Sequence, residues 1–175
     1  METKKADLRI VKTKKAIKET FLEMRKSIPL EKIRVRDICG RALINKSTFY
    51  CHYADAFALS DELEDEAISA YLDRFSAKDC LFTNPKHFLT EMPKAFDSNL
   101  EILLPLFRDR FDIAFKKIER QLKAFYASTD TTEAEDIRLT FVIGGTLNTL
   151  RELKFEKHYD NEVLAQNVSE LISKL

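Results

Sequence analysis

The sequence predicts an all-α protein, and three observations carry that reading. Three Gly and four Pro in 175 residues are too few for collagen, turn-dense β-sandwiches or Gly-rich nucleotide-binding turns. From Arg9 onward, apolar residues recur at steps of three, four or seven, the period of a helix face. A composition of 45% apolar and 33% charged residues builds a core and does not suit a disordered chain.

The opening residues, Met1 to about Leu8, are polar and lysine-rich and read as a loose arm. The first helix follows, with Ile10, Ile17, Phe21, Met24 and Ile28 on one stripe and Lys12, Lys14, Lys15 and Lys18 between them. Pro29 ends it, because the residue before a proline leaves the helical region. A second helix covers 35–42, facing Val35, Ile38, Cys39 and Ala42 inward. After the break at Leu43-Ile44, Asn45 is a favoured N-cap for a third helix from Lys46 to about Tyr53. That helix is short and aromatic, with Phe49, Tyr50 and Tyr53. A long fourth helix begins near Asp55 with Leu59, Leu63, Ala67 and Ala70 on one stripe. Its acidic run, Asp61, Glu62, Glu64, Asp65 and Glu66, reads as a solvated face.

A break is expected over 77–84, with Asn84-Pro85 as cap and first helical position. Pro93 and Pro105 are expected to divide the next stretch into short helices. Residues 108–127 form one helix carrying Phe111, Phe115, Ile118, Leu122 and Phe125, and 128–132 form a loop. Two helices remain, about 133–154 and 161–175. The first is apolar on nearly every side; the last carries Leu164, Val168, Leu171 and Leu175 on one stripe. The total is eight to ten helices and no strand, divided into an N-terminal three-helix domain, 1–54, and a helical bundle, 55–175.

The formal net charge is zero, but it is unevenly spread. Residues 1–53 hold 14 Lys+Arg against 6 Asp+Glu, whereas 54–175 hold 15 against 23. A basic first third suits a polyanionic partner; an exposed basic helix with no partner is the plainer alternative. Cys39, Cys51 and Cys80 form no CxxC pair, and no signal peptide opens the chain, so a reduced cytoplasmic compartment is expected. The longest uncharged run, Leu139–Leu150, has 12 residues, too short for a bilayer, so no membrane partner is expected. His52, His87 and His158 lie far apart, which gives no metal-ligand spacing. Without a P-loop, GxGxxG or GxSxG there is no foothold for catalysis, and no cofactor is expected.

Two short helices with the second starting at a good cap outline a helix-turn-helix. Its second helix would enter a major groove, where an α-helix fits and base edges differ. Phe49 is the natural inward anchor. Lys46, Ser47, Thr48, Tyr50 and His52 face outward, and all are hydrogen-bonding side chains suited to bases and phosphates.

The stretch from Arg9 to Leu63 resembles the DNA-binding domain of the tetracycline-repressor (TetR/AcrR) family. The residues that carry the likeness are Val35-Arg36-Asp37-Ile38, Ala42-Leu43-Ile44-Asn45-Lys46-Ser47-Thr48-Phe49-Tyr50 and His52-Tyr53, together with Ala16-Ile17 and Thr20-Phe21. The turn looks most like the subgroup near the dihydroxyacetone-kinase operon regulators. The resemblance implies that Arg36 reaches a base edge. It implies that Lys46, Ser47 and Thr48 contact bases or phosphates, and that Tyr50 and His52 bind phosphates. Three positions depart from the family pattern. Leu43 stands where Gly is usual, so the backbone differs there or Leu43 fills a pocket. Arg34 replaces a capping Thr and adds a phosphate-seeking charge. Ala56 replaces a phosphate-binding Lys, which the lysines of the first helix could offset.

The same resemblance implies a homodimer joined through the last two helices, with Phe141, Gly144, Leu147, Leu164, Val168 and Leu171 at the interface. A monomer with a buried core helix is the alternative. It also implies an effector pocket in the middle region, where Tyr71, Phe75, Phe88, Phe107, Phe111 and Phe115 lie; read from the residues alone, those aromatics are more simply plain core. The effector could be a small molecule or a protein. The function expected is therefore a dimeric transcription regulator, more often a repressor, on a palindromic double-stranded DNA operator. A helical protein-interaction module with a basic docking end is the alternative, and an enzyme is a distant third.

Overall fold

The computed structural model describes residues 2–108 and 110–175, with side chains from Arg9 onward. Among these residues there is no strand. The α-helices are α1 (Glu2–Arg25), α2 (Val35–Ala42), α3 (Lys46–Tyr50), α4 (Ala56–Arg74) and α5 (Pro85–Asp97), followed by α6 (Leu100–Phe107), α7 (Phe111–Tyr126), α8 (Glu133–Thr149) and α9 (Asn161–Ile172). A 3₁₀ turn, Leu30–Lys32, precedes α2, and a π-helical segment, Leu150–Glu156, follows α8. The chain forms two compact units. One comprises 1–66 and 102–109, the other 67–101 and 110–175. The division falls inside α4, beyond the 54/55 boundary expected from the sequence.

The first unit is built on α1, whose inward stripe Ile17, Phe21 and Met24 is buried together with Leu30, Ile38, Phe49, Leu59 and Leu63. The helix begins at Glu2, so the segment expected as a loose arm is helical. Its end is fixed by Arg25, which is fully buried and donates to the carbonyls of Ile28 (3.0 Å) and Leu106 (2.9 Å). The acidic run of α4 is not simply a solvated face. Glu64 is buried and accepts from the Ser60 hydroxyl at 2.8 Å. Glu62 accepts from Lys14 (3.2 Å) and pairs with Lys18 (2.8 Å), and Lys18 also reaches Glu66 (2.6 Å). Two α1 lysines are thus spent on acids of α4.

In the second unit α5 packs along α9 and α7 along α8. Neither Pro93 nor Pro105 breaks the chain into shorter helices; both lie inside α5 and α6. The interruption comes at Ser98-Asn99, where both side chains bond back to carbonyls one turn earlier, Ser98 to Lys94 (2.9 Å) and Asn99 to Ala95 (2.7 Å). Such bonds compete with the helix ladder. The 77–84 break is held by Tyr126, whose hydroxyl donates to the Lys78 carbonyl and accepts the Leu81 N–H (3.1 Å).

Thr132 and Glu135 start α8 with a reciprocal capping box. The helix is not buried on all sides, as its composition suggests, because Ile137 and Phe141 are exposed. Its α-helical part ends at Thr149, and π-helical turns carry it on to Glu156, past the expected 154. Phe125, expected on the inward stripe of α7, is exposed as well.

Candidate nucleic-acid interface

The α2–turn–α3 unit is set by three local choices. Leu43 closes α2 in the left-handed region (φ 54°, ψ 42°), so that its N–H and that of Ile44 both reach the Cys39 carbonyl. This is the backbone a Gly would adopt there, and Leu43 fills no pocket: it is 91% exposed. Asn45 then caps α3. Its Oδ1 accepts from the Thr48 N–H and from the hydroxyls of Ser47 and Thr48, all at 2.7 Å. Phe49 is wholly buried, edge-on to Tyr50 and tilted against Tyr53, with both centroids 5.7 Å away. With Ile38 it locks α3 against the core and decides which side faces out.

The outward side carries Lys46, Ser47 and Tyr50 exposed, with Thr48 and His52 half-buried. Arg34, Arg36 and Arg41 are exposed on and before α2. Arg36 rests its Nε on Asp37 at 3.1 Å, an exposed pair that another anion can displace. Ser47 and Thr48 donate their hydroxyl protons to Asn45, so their oxygens act first as acceptors unless that cap is given up. Ala56 is buried at the start of α4.

Tyr53 joins this unit to α1 and α4. Its hydroxyl donates to Glu62 (3.2 Å), and the Lys14 ammonium lies 5.4 Å over its ring. Burial, then the Glu62 charge, push the Tyr53 hydroxyl up to about 12. Burial also pulls Glu62 upward, but bonds from Lys18 and Lys14 outweigh it and hold that carboxyl below its usual range. Cys39 is buried, and burial raises its thiol, which makes it a small core residue. Among the described residues no group of three His, Cys, Asp or Glu could hold a metal ion, and no helix is long and apolar enough to cross a membrane.

The aromatics expected around an effector pack mainly against one another. In the second unit Tyr71 stacks on Phe75 (6.2 Å), which meets Phe88 edge-on (5.0 Å), and Phe111 tilts against Phe115 (5.7 Å). Phe107 belongs to the first unit and is fully buried. Phe75 borders one open cleft and Phe115 another. Phe155 completes this cluster, 5.6–5.8 Å from Phe96, Phe111 and Phe115. Sequence reasoning missed it, because only the π-helical segment brings it there.

The residues expected at a dimer interface divide in two. Phe141 and Leu171 are exposed at 66% and 63%, and Gly144 and Val168 are half-buried. Leu147 (3%) and Leu164 (5%), expected at the dimer interface, are covered within the single chain's own core. Ile137 and Val163 are exposed apolar residues that the sequence reading left out. Comparison with known proteins yields no matching family model, no matching curated protein and no matching solved structure.

Proposed function

We propose that the protein is a DNA-binding transcription regulator of the TetR/AcrR type, acting by binding and release and not by chemistry. The observation that carries this reading is α3. Its apolar side is committed to the core through Phe49, while Lys46, Ser47 and Tyr50 stand outward beside exposed Arg34, Arg36 and Arg41. A short helix that needed only solubility has no use for that concentration of cationic and hydrogen-bonding groups. One such helix reads few base pairs, so the working form is a homodimer presenting two of them to successive major grooves, roughly 34 Å apart on a palindromic operator. The exposed Ile137, Phe141, Val163 and Leu171 are the apolar residues offered for pairing. Repression is the simplest output, relieved when an effector of the second unit favours another spacing of the two reading heads.

Anisotropy titration of a labelled random-sequence duplex tests the reading. Affinity should fall about a thousandfold between roughly 50 and 200 mM salt, as counterion release requires for several phosphate contacts. Absent binding at low salt, or binding indifferent to salt, would leave a protein-docking module as the better account.

A further inference from the structure

A groove of about 350 Å³ runs between α7 and α8, at the lower end of the range for small-molecule sites. From α7 come Phe115, Lys116 and Glu119, from α8 Leu147 and Asn148, and from the π-helical segment that follows it Arg151. The floor is apolar because Phe115 and Leu147 are buried, and it is open because Gly144 has no side chain. A Cβ there would stand 3.4 Å from Glu119 Oε1. The short 127–132 connection reverses the chain, so with Glu119 beside Gly144, Asp112 and Arg151 share the other end. That end lies about 10 Å along, seven residues at the helical rise.

We propose that this groove binds a small organic carboxylate with a flat apolar body, its carboxylate on Arg151 and Asn148 and its body on Phe115 and Leu147. The charges favour this over a cation. Glu119 is paired with Lys123 (2.8 Å) and Asp112 faces Lys116 (3.9 Å), both pairs internal to α7. Glu156, like Lys123, lies outside the groove, but Arg151 stands beside the neutral amide of Asn148 within it, so its partner Glu156 can be exchanged for a ligand carboxylate charge for charge. The other arm of Arg151 donates to Asn148 Oδ1 at 2.9 Å, which orients the guanidinium fork and leaves the Asn148 NH₂ as a further donor. A planar fork held this way matches a carboxylate in two-point contact.

The displaced partner has a structural role of its own. Arg151–Glu156 and Glu152–Lys157 are both spaced i,i+5. An α-helix sets such residues about 140° apart; the wider π turn brings them together. A carboxylate that takes Arg151 removes one of the two ties, so occupancy is linked to the π-helical geometry that carries Phe155.

The test is a ¹⁹F NMR titration of the full chain with 4-fluorobenzoate, and with 4-fluorobenzylamine as the cationic control. The benzoate should give a saturable one-to-one shift and the amine none. Arg151→Met should weaken binding about tenfold, and Gly144→Leu should abolish it by filling the floor. Glu156→Gln should tighten it several-fold by removing the internal competitor, a gain that a misfolded variant could not produce. No saturation, equal binding by Arg151→Met, an amine that binds as well, or a weaker Glu156→Gln would each overturn the assignment. Binding is read on the protein alone, so this result stands apart from the DNA-binding reading.

Discussion

Leu43 is the residue where local cost is plainest. A branched side chain in the left-handed region costs roughly 1–2 kcal/mol, and at 91% exposure it recovers little by burial. Leu43→Gly should therefore raise the melting temperature by about 2–4 °C, read by calorimetry; an unchanged or lower value would mean that Leu43 makes a contact the fold conceals. Glu62 gives a pH signature. Its folded pKa is depressed, so its contribution is complete above the unfolded carboxylate value of about 4.3 and is lost as pH falls through the folded value. Lys18 runs the other way. Burial lowers it, bonds to Glu62 and Glu66 raise it further, and its share is complete below the unfolded lysine value and lost as pH climbs through the raised one. Melting between about pH 3 and 7 should thus show a steeper acid limb for the wild type than for Glu62→Gln; parallel limbs would remove the Lys14–Glu62–Lys18 cluster from the stability account. Asn45 was readable from sequence because a cap depends on neighbours three residues away. Glu62 and Glu64 were not, since their partners lie on α1 and within a buried stretch that periodicity does not report.

At the scale of elements, agreement followed how local each signal was. The α2–α3 pair was legible because cap, turn and anchor all fall within 35–53. Pro93 and Pro105 misled: each was expected to end a helix, yet proline removes one hydrogen bond and kinks without necessarily stopping the chain. The π-helical segment had no sequence signal of its own, and the i,i+5 ion pairs that hold it become recognisable only once the geometry is known. Helix α8 was misjudged for a related reason, as composition counts apolar residues and says nothing about which of them are covered. Its two faces should now behave differently. Phe141→Glu should leave the fold intact and yield monomer in sedimentation, whereas Leu147→Glu should destabilise the chain by several kcal/mol, because an unpaired charge would enter the core. A stable dimer in Phe141→Glu would move the contact to another face.

At the scale of the whole molecule, the charge asymmetry of the sequence separates into paired and outward groups. Lys14 and Lys18 are committed to α4, while Arg34, Arg36, Arg41 and Lys46 stand on and around α2 and α3. The +8 of the first 53 residues therefore overstates the charge free to meet a polyanion, yet what remains is gathered beside α3. The exposed apolar groups on α8 and α9 and the groove along α7 are the open surfaces of the second unit that the proposed pairing and sensing would use.

The central claim is that α3 enters a major groove, and the most direct measurement compares Lys46→Ala and Tyr50→Phe with the wild type on duplexes selected from a random library. If α3 reads DNA, Tyr50→Phe weakens every sequence by a similar factor, and Lys46→Ala both weakens binding and alters which sequences are enriched. If the library yields no enrichment, or both variants bind like the wild type, α3 does not touch the groove and the account is wrong.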